Sequence, residues 1–167
     1  MSAHTQAVLA LLQTWTQAGW LGRLDRALAQ WIDSLDPNAQ PRLLIATAFL
    51  VHMERLGHSC LPLTECLADP EATLSWPQPA QPALTTLLHT LGRQPNEWLA
   101  DITTSPCVWQ VGVGVDTAQP LVVDGPSHQP RLYLRRYWDY EQRLHNNLAA
   151  RLAAPLVVDE ANAHAWL

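Results

Sequence analysis

His58, Cys60 and Cys66 stand in an H-x-C-x5-C arrangement, the residue types that could hold a zinc ion. A closed structural zinc site needs four ligands, usually in short repeated pairs. This set offers three at uneven spacing, and packing is the reading adopted. Cys107 and the seven histidines could in principle make a thiolate nucleophile and its base. Nothing places a base beside Cys107, so it too is read as packing. Gly112-Val113-Gly114 has the look of a phosphate loop but lacks a third glycine and a following helix. It sits inside an alternating strand pattern, where glycines mark a bulge or a close backbone approach. Asp159-Glu160 has no general-acid context and reads as a solvated helix start. All ten basic side chains are arginine, a usage ascribed to genome composition. Without lysine the chain has neither a P-loop lysine nor a Schiff-base amine. No catalytic residue, cofactor site or metal site is therefore assigned.

The most informative segment is Arg135-Arg136-Tyr137-Trp138-Asp139-Tyr140-Glu141. Arginines mixed with aromatics bind nucleic acid, and the same mixture makes protein hot spots. Arg136 paired with Glu141 or another acid would be a third, internal use. Internal packing and a protein interface fit equally well, and the two acids in the segment put DNA behind them. Eight tryptophans are many for 167 residues. Trp15 and Trp31 lie on helical stripes and read as core, whereas Trp76, in a proline-rich stretch, and Trp138, beside two arginines, are better contact candidates. The candidate interface is thus Arg135, Arg136, Trp138, Arg143 and Trp76. The alternative is a DNA path along Arg131, Arg135, Arg136, Arg143 and Arg151. Residues 131–151 hold five arginines against Asp139 and Glu141, net +3, so the rest of a −5 chain carries −8. A basic segment on an acidic body favours an oriented contact over uniform coating of DNA.

Length fits one domain with a real core. The charged fraction, 15 %, is well below the usual quarter, which points to much buried or interface-facing surface. Three cysteines without a signal-peptide pattern fit a reducing cytoplasm. The longest apolar run, about residues 43–51, is too short to span a bilayer. Helical spacing predicts helices at about 5–18, 21–35, 42–56, 83–91, 95–102 and 136–152. The third is apolar nearly all round and belongs at the centre. Residues 57–63 read as extended, 63–68 as a turn or two of helix, and 69–82 as a loop. Alternation predicts strands at about 108–115, 120–124 and 131–135, forming an antiparallel sheet of about three strands. Asp139 and Arg143 can pair at i, i+4. The fold class is α+β: a mostly helical N-terminal part packed with the small sheet and a following helix. One domain spans 1–152, and 153–167 is a tail with a weak helical signal near Glu160.

Two segments resemble a known family. Gly57-His58-Ser59-Cys60-Leu61-Pro62-Leu63 is similar to the G-H-x-C-L-P-L stretch near the start of RecD, the alpha subunit of exodeoxyribonuclease V. Pro120-Leu121-Val122-Val123-Asp124-Gly125 followed by residues 131–141 resembles that family's later signature, where a strand ending in L-Y-L-x-R-x-W enters a helix carrying a Glu. The match is specific over about thirty residues, in the family's order and spacing. The resemblance implies the N-terminal domain of an ATP-dependent 5′-to-3′ DNA helicase subunit, which works with RecB-like and RecC-like subunits on double-strand breaks. It also implies a docking role against RecC, with DNA engaged through the complex and no membrane partner. The family continues into two motor domains that carry the ATP and magnesium sites. This chain ends at Leu167, before any phosphate loop, so the expectation is an excised domain or a truncated parent.

Overall fold

The computed structural model describes residues 3–153. The weak helix near Glu160 and Trp166 lie outside the described residues.

Three helices open the chain: α1 (Ala3–Gln17), α2 (Arg23–Leu35) and α3 (Pro41–Arg55). Proline at the first turn of α3 starts it without losing a needed donor. Every residue of α3 from Leu43 to Met53 is buried. A helix apolar on all faces has to be enclosed on all faces, and α1, α2, the sheet and later helices enclose it. Gly57, at φ +93°, ends this element in a conformation that costs glycine little.

The chain then forms β1 (Cys60–Pro62), α4 (Leu63–Ala68), α5 (Pro70–Leu74) and a 3₁₀ turn at Gln78–Ala80. Next come α6 (Gln81–Leu91), α7 (Pro95–Thr103), β2 (Val108–Gln110), β3 (Leu121–Asp124), β4 (Arg131–Leu134) and α8 (Arg135–Ala153). The sheet order is β1-β4-β3-β2. β4 pairs antiparallel with β1 and β3, with Cys60 opposite Tyr133 and Leu121 opposite Leu134. Leu61, Leu121, Val123 and Leu132 face the core. Val122 and Tyr133, opposite one another, alternate to the other face and are also buried.

The α+β class holds, with three corrections to the sheet and one to a loop. The sheet has four strands, because the extended segment at 60–62 joins it. It is mixed, because β2 pairs with β3 in parallel. The strand expected over 108–115 stops at Gln110. Gly112 and Gly114 have φ of +78° and +68°, which a strand does not accept, and they turn the chain outward so that Val113 and Val115 are exposed. Residues 69–82 are more ordered than a loop. Asp69 caps α5 by accepting the Ala72 N–H at 3.1 Å, and Pro70 takes the first helical position.

Long-range polar contacts join these parts. Arg42 of α3 donates to Asp101 at 2.9 Å, to Glu97 at 2.6 Å, and through Nε to the Leu91 carbonyl at 2.8 Å. One guanidinium therefore caps the end of α6 and clamps α7. Ser105 donates to Asp36 at 2.6 Å, tying the end of α2 to the turn before β2.

Candidate docking surface

α8 follows β4 without a break, so its first two turns are set against the sheet by covalent connection. Five side chains there are fixed by the body. Arg135 makes a two-pronged ion pair with Asp116, at 2.9 and 2.8 Å, and donates from Nε to the Gln119 carbonyl at 3.0 Å. Its guanidinium lies 5.1 Å from the Trp109 ring and 5.5 Å from the Trp138 ring. Those rings meet edge-on at 5.2 Å, and Trp138 donates to Asp124 at 2.8 Å. Asp116 is held below the ordinary carboxylate range, first by the Ala118 N–H and then by Arg135. Arg136 pairs with Glu54 of α3, which also accepts the Tyr137 hydroxyl at 2.6 Å. Glu141 accepts from Ser59.

The predicted contact residues therefore separate. Arg135 pins the 111–119 loop to α8, and Trp138 ties α8 to β2 and β3. Arg136 is exposed but ion-paired. Trp76 is placed differently from the expectation: at 5 % exposure it belongs to the core. Its ring contacts Trp15, Phe49 and His52 near edge-on, at centroid distances of 4.9, 5.8 and 6.1 Å. Arg143 is exposed, and its guanidinium lies 6.0 Å from the Tyr140 ring. The pairing of Asp139 with Arg143 does not form; no ion pair among the described residues joins them. Of the five arginines of the DNA path, two are committed to acids, leaving Arg131, Arg143 and Arg151 exposed on β4 and α8.

Sequence reasoning missed an exposed face of α2. Leu21 and the apolar positions of α2 split between two environments, and Trp31, expected in the core, is outside it. Leu21, Ala29 and Ile32 are buried, whereas Leu24, Trp31 and Leu35 are exposed and Leu28 is half-buried. The 4-3-4 spacing of 24, 28, 31 and 35 was the available signal, since it repeats at the period of a helix–helix seam. Ala27 and Ser34 extend this face without adding a charge. At its N-terminal end Leu24 and Leu28, with Val51, Glu54, Leu134 and Arg136, line a notch of about 270 Å³.

Beneath this face lies a buried polar cluster. Asp25 accepts the Gly22 N–H at 2.7 Å, capping α2 from its third position. His52 donates from Nε2 to the Leu74 carbonyl at 2.8 Å, and its Nδ1 lies 2.9 Å from the Arg55 guanidinium and 3.6 Å from the Asp25 carboxylate. Burial pushes the Asp25 carboxyl up, but His52, the Gly22 N–H and Arg55 outweigh it and hold the group below its ordinary value.

An apolar groove of about 540 Å³ between α1 and α6 is lined by Val8, Leu11, Leu87 and Leu91 among others. The H-x-C-x5-C residues do not gather: among the described residues no group of three or more His, Cys, Asp or Glu side chains could hold a metal ion. Cys66 is buried and its thiol is pushed up to about 12 by desolvation, the opposite of an activated nucleophile. No described helix is long and apolar enough to cross a membrane.

The chain is thus an α+β domain folded around a buried central helix, with a mixed sheet entering an arginine- and leucine-bearing helix and with exposed apolar helix faces. Residues 17–133 match the family RecBCD enzyme subunit RecD, N-terminal domain. The chain belongs to that family. Curated proteins and solved structures give no significant match.

Proposed function

We propose that this chain is the docking domain of a RecD-like subunit, holding that subunit against its RecC-like partner, and through it the RecB-like one, in a complex that unwinds and degrades DNA ends during double-strand break repair in the cytoplasm. The observation that carries this is the uncharged face of α2. Leu24, Leu28, Trp31 and Leu35 form an apolar strip on a rigid helix, ending at a notch able to receive a side chain. A monomer rarely keeps such a strip without a partner, and an aromatic at its middle is typical of an interface anchor. The domain's part in this reading is mechanical. It needs no nucleotide or metal of its own, and the ATP and magnesium chemistry belongs to the parent's motor domains.

A second reading is direct DNA contact through Arg131, Arg143 and Arg151, favoured by their exposure and their lack of acidic partners among the described residues. It is weaker because Arg135 and Arg136, which would complete the path, are committed to Asp116 and Glu54.

The test is assembly of the full chain with purified RecC and with the RecB–RecC complex, alongside labelled duplex and single-stranded DNA ends at two salt concentrations. Docking predicts association with RecC that Leu24→Ser with Trp31→Ser weakens by about tenfold or more, with little DNA affinity. Salt-sensitive DNA binding without association with RecC would replace the docking reading by the DNA one.

A further inference from the structure

The distal half of α8 has a chemistry that the domain itself does not use. The helix is 19 residues long and none of them is buried, and its hydrogen bonds to the body end at Glu141. At 1.5 Å per residue the last turns run about 18 Å beyond that anchor. There Leu144, Leu148 and Leu152 recur every fourth residue, on one side of the helix, at 60, 50 and 87 % exposure. On the helical wheel they continue the side on which Tyr137 and Glu141 meet the body, so the packing face runs on past the edge of the domain. The charges are one-sided as well. Residues 142–153 carry Arg143 and Arg151 and no acid, and neither arginine has an acidic partner among the described residues. The body of the domain is acidic, so this end of α8 is its local opposite.

An amphipathic helix with apolar residues at i, i+4 and i+8 is of the kind read by laying it in a groove. Unpaired arginines beside the strip fix the sign of the groove's rim by charge complementarity. We infer that residues 144–153 are a second docking element, which lays Leu144, Leu148 and Leu152 into an apolar groove rimmed by Asp or Glu on another protein subunit of the complex, with Arg143 and Arg151 meeting those acids. This rests on the docking reading above and adds to it a distinct element with a distinct chemistry. The α2 face is neutral and adjoins the body, and its contact should be insensitive to salt. The α8 contact is basic and projecting, and should weaken as salt rises.

The test uses the full chain and the purified RecB–RecC complex, followed by titration at low and moderate salt. Three proteins are compared: wild type, Leu144→Ser with Leu148→Ser and Leu152→Ser, and Arg143→Glu with Arg151→Glu. The leucine variant should bind about tenfold more weakly or worse. The arginine variant should also bind more weakly and lose most of the salt dependence. Both should keep the wild-type melting temperature, because none of the five side chains is in the core. Failure of the wild type to bind removes the docking reading and this inference together. Wild-type binding matched by both variants overturns this inference alone and leaves the α2 face standing. Three other occupants would each overturn it: a dimer of the chain dissolved by the leucine variant with RecB–RecC binding unchanged, duplex DNA binding lost in the arginine variant with RecB–RecC binding unchanged, or amide protection of 144–153 in the free chain that disappears when the chain is cut back to Ala153.

Discussion

Trp76 shows how one side chain can be misjudged from its neighbours. Prolines at 70, 77, 79 and 82 make its stretch read as a surface loop, and an aromatic in a surface loop reads as a contact. The prolines instead serve as first-turn residues and turn formers that hold the stretch close to the core, and Trp76 fills the space between α1 and α3. Trp76→Ala should cost about 3–5 kcal/mol, the range for truncating a buried large aromatic, measured by urea unfolding of the chain. Its indole N–H has no partner, so Trp76→Phe should be distinctly milder. Asp25 makes a prediction in pH. Its folded value is below the unfolded one, so it stabilises the protein above an ordinary carboxylate pKa near 4, and that stability is lost as pH falls through the folded value. Asp25→Asn should lower stability at pH 7 by about 1–3 kcal/mol and flatten the pH profile below about 5. Chemical denaturation from pH 7 to pH 3 checks this, and an unchanged profile would remove Asp25 as the source.

The elements were legible where a period ran long. All six predicted helices exist within a few residues of their expected bounds, because each buries a stripe and a stripe repeats. The all-round apolar pattern of α3 correctly put it at the centre. Strand β2 was overextended because the alternation of Trp109, Val111, Val113 and Val115 looked like a buried face, while the glycines between them, taken for a bulge or a close backbone approach, are where the chain leaves the sheet. The parallel pairing of β2 with β3 had no local signal at all; it follows from the path of the 111–120 loop, which Arg135 fixes from a distant helix. Arg135→Ala should therefore loosen one element selectively. Amides of residues 112–119 should exchange faster while those of α3 keep their protection, in hydrogen-exchange mass spectrometry. Uniformly faster exchange would mean that Arg135 supports the whole fold instead.

At the scale of the molecule, the candidate site was half legible. The 135–141 segment stands out in the sequence, but residue types alone do not distinguish an arginine that reaches a partner from one that ties a loop. Asp116, Glu54 and Asp124, which decide the matter, lie far off in sequence. The exposed face of α2 was hidden for the opposite reason: a leucine at helical spacing looks the same whether its stripe faces the core or a neighbour, and only the three-dimensional arrangement shows two stripes on one helix. The sheet has one more consequence, in time. Its inner strand β4 comes near the end of the domain, and Cys60 pairs with Tyr133 across almost half the chain. On a ribosome, then, the helices and β1 emerge with Leu61 and the underside of α3 uncovered, and they stay so until residues 131–134 leave the exit tunnel. The nascent domain passes through a sticky interval that ends with the strand leading directly into α8, so that helix is in place only once the core behind it has closed.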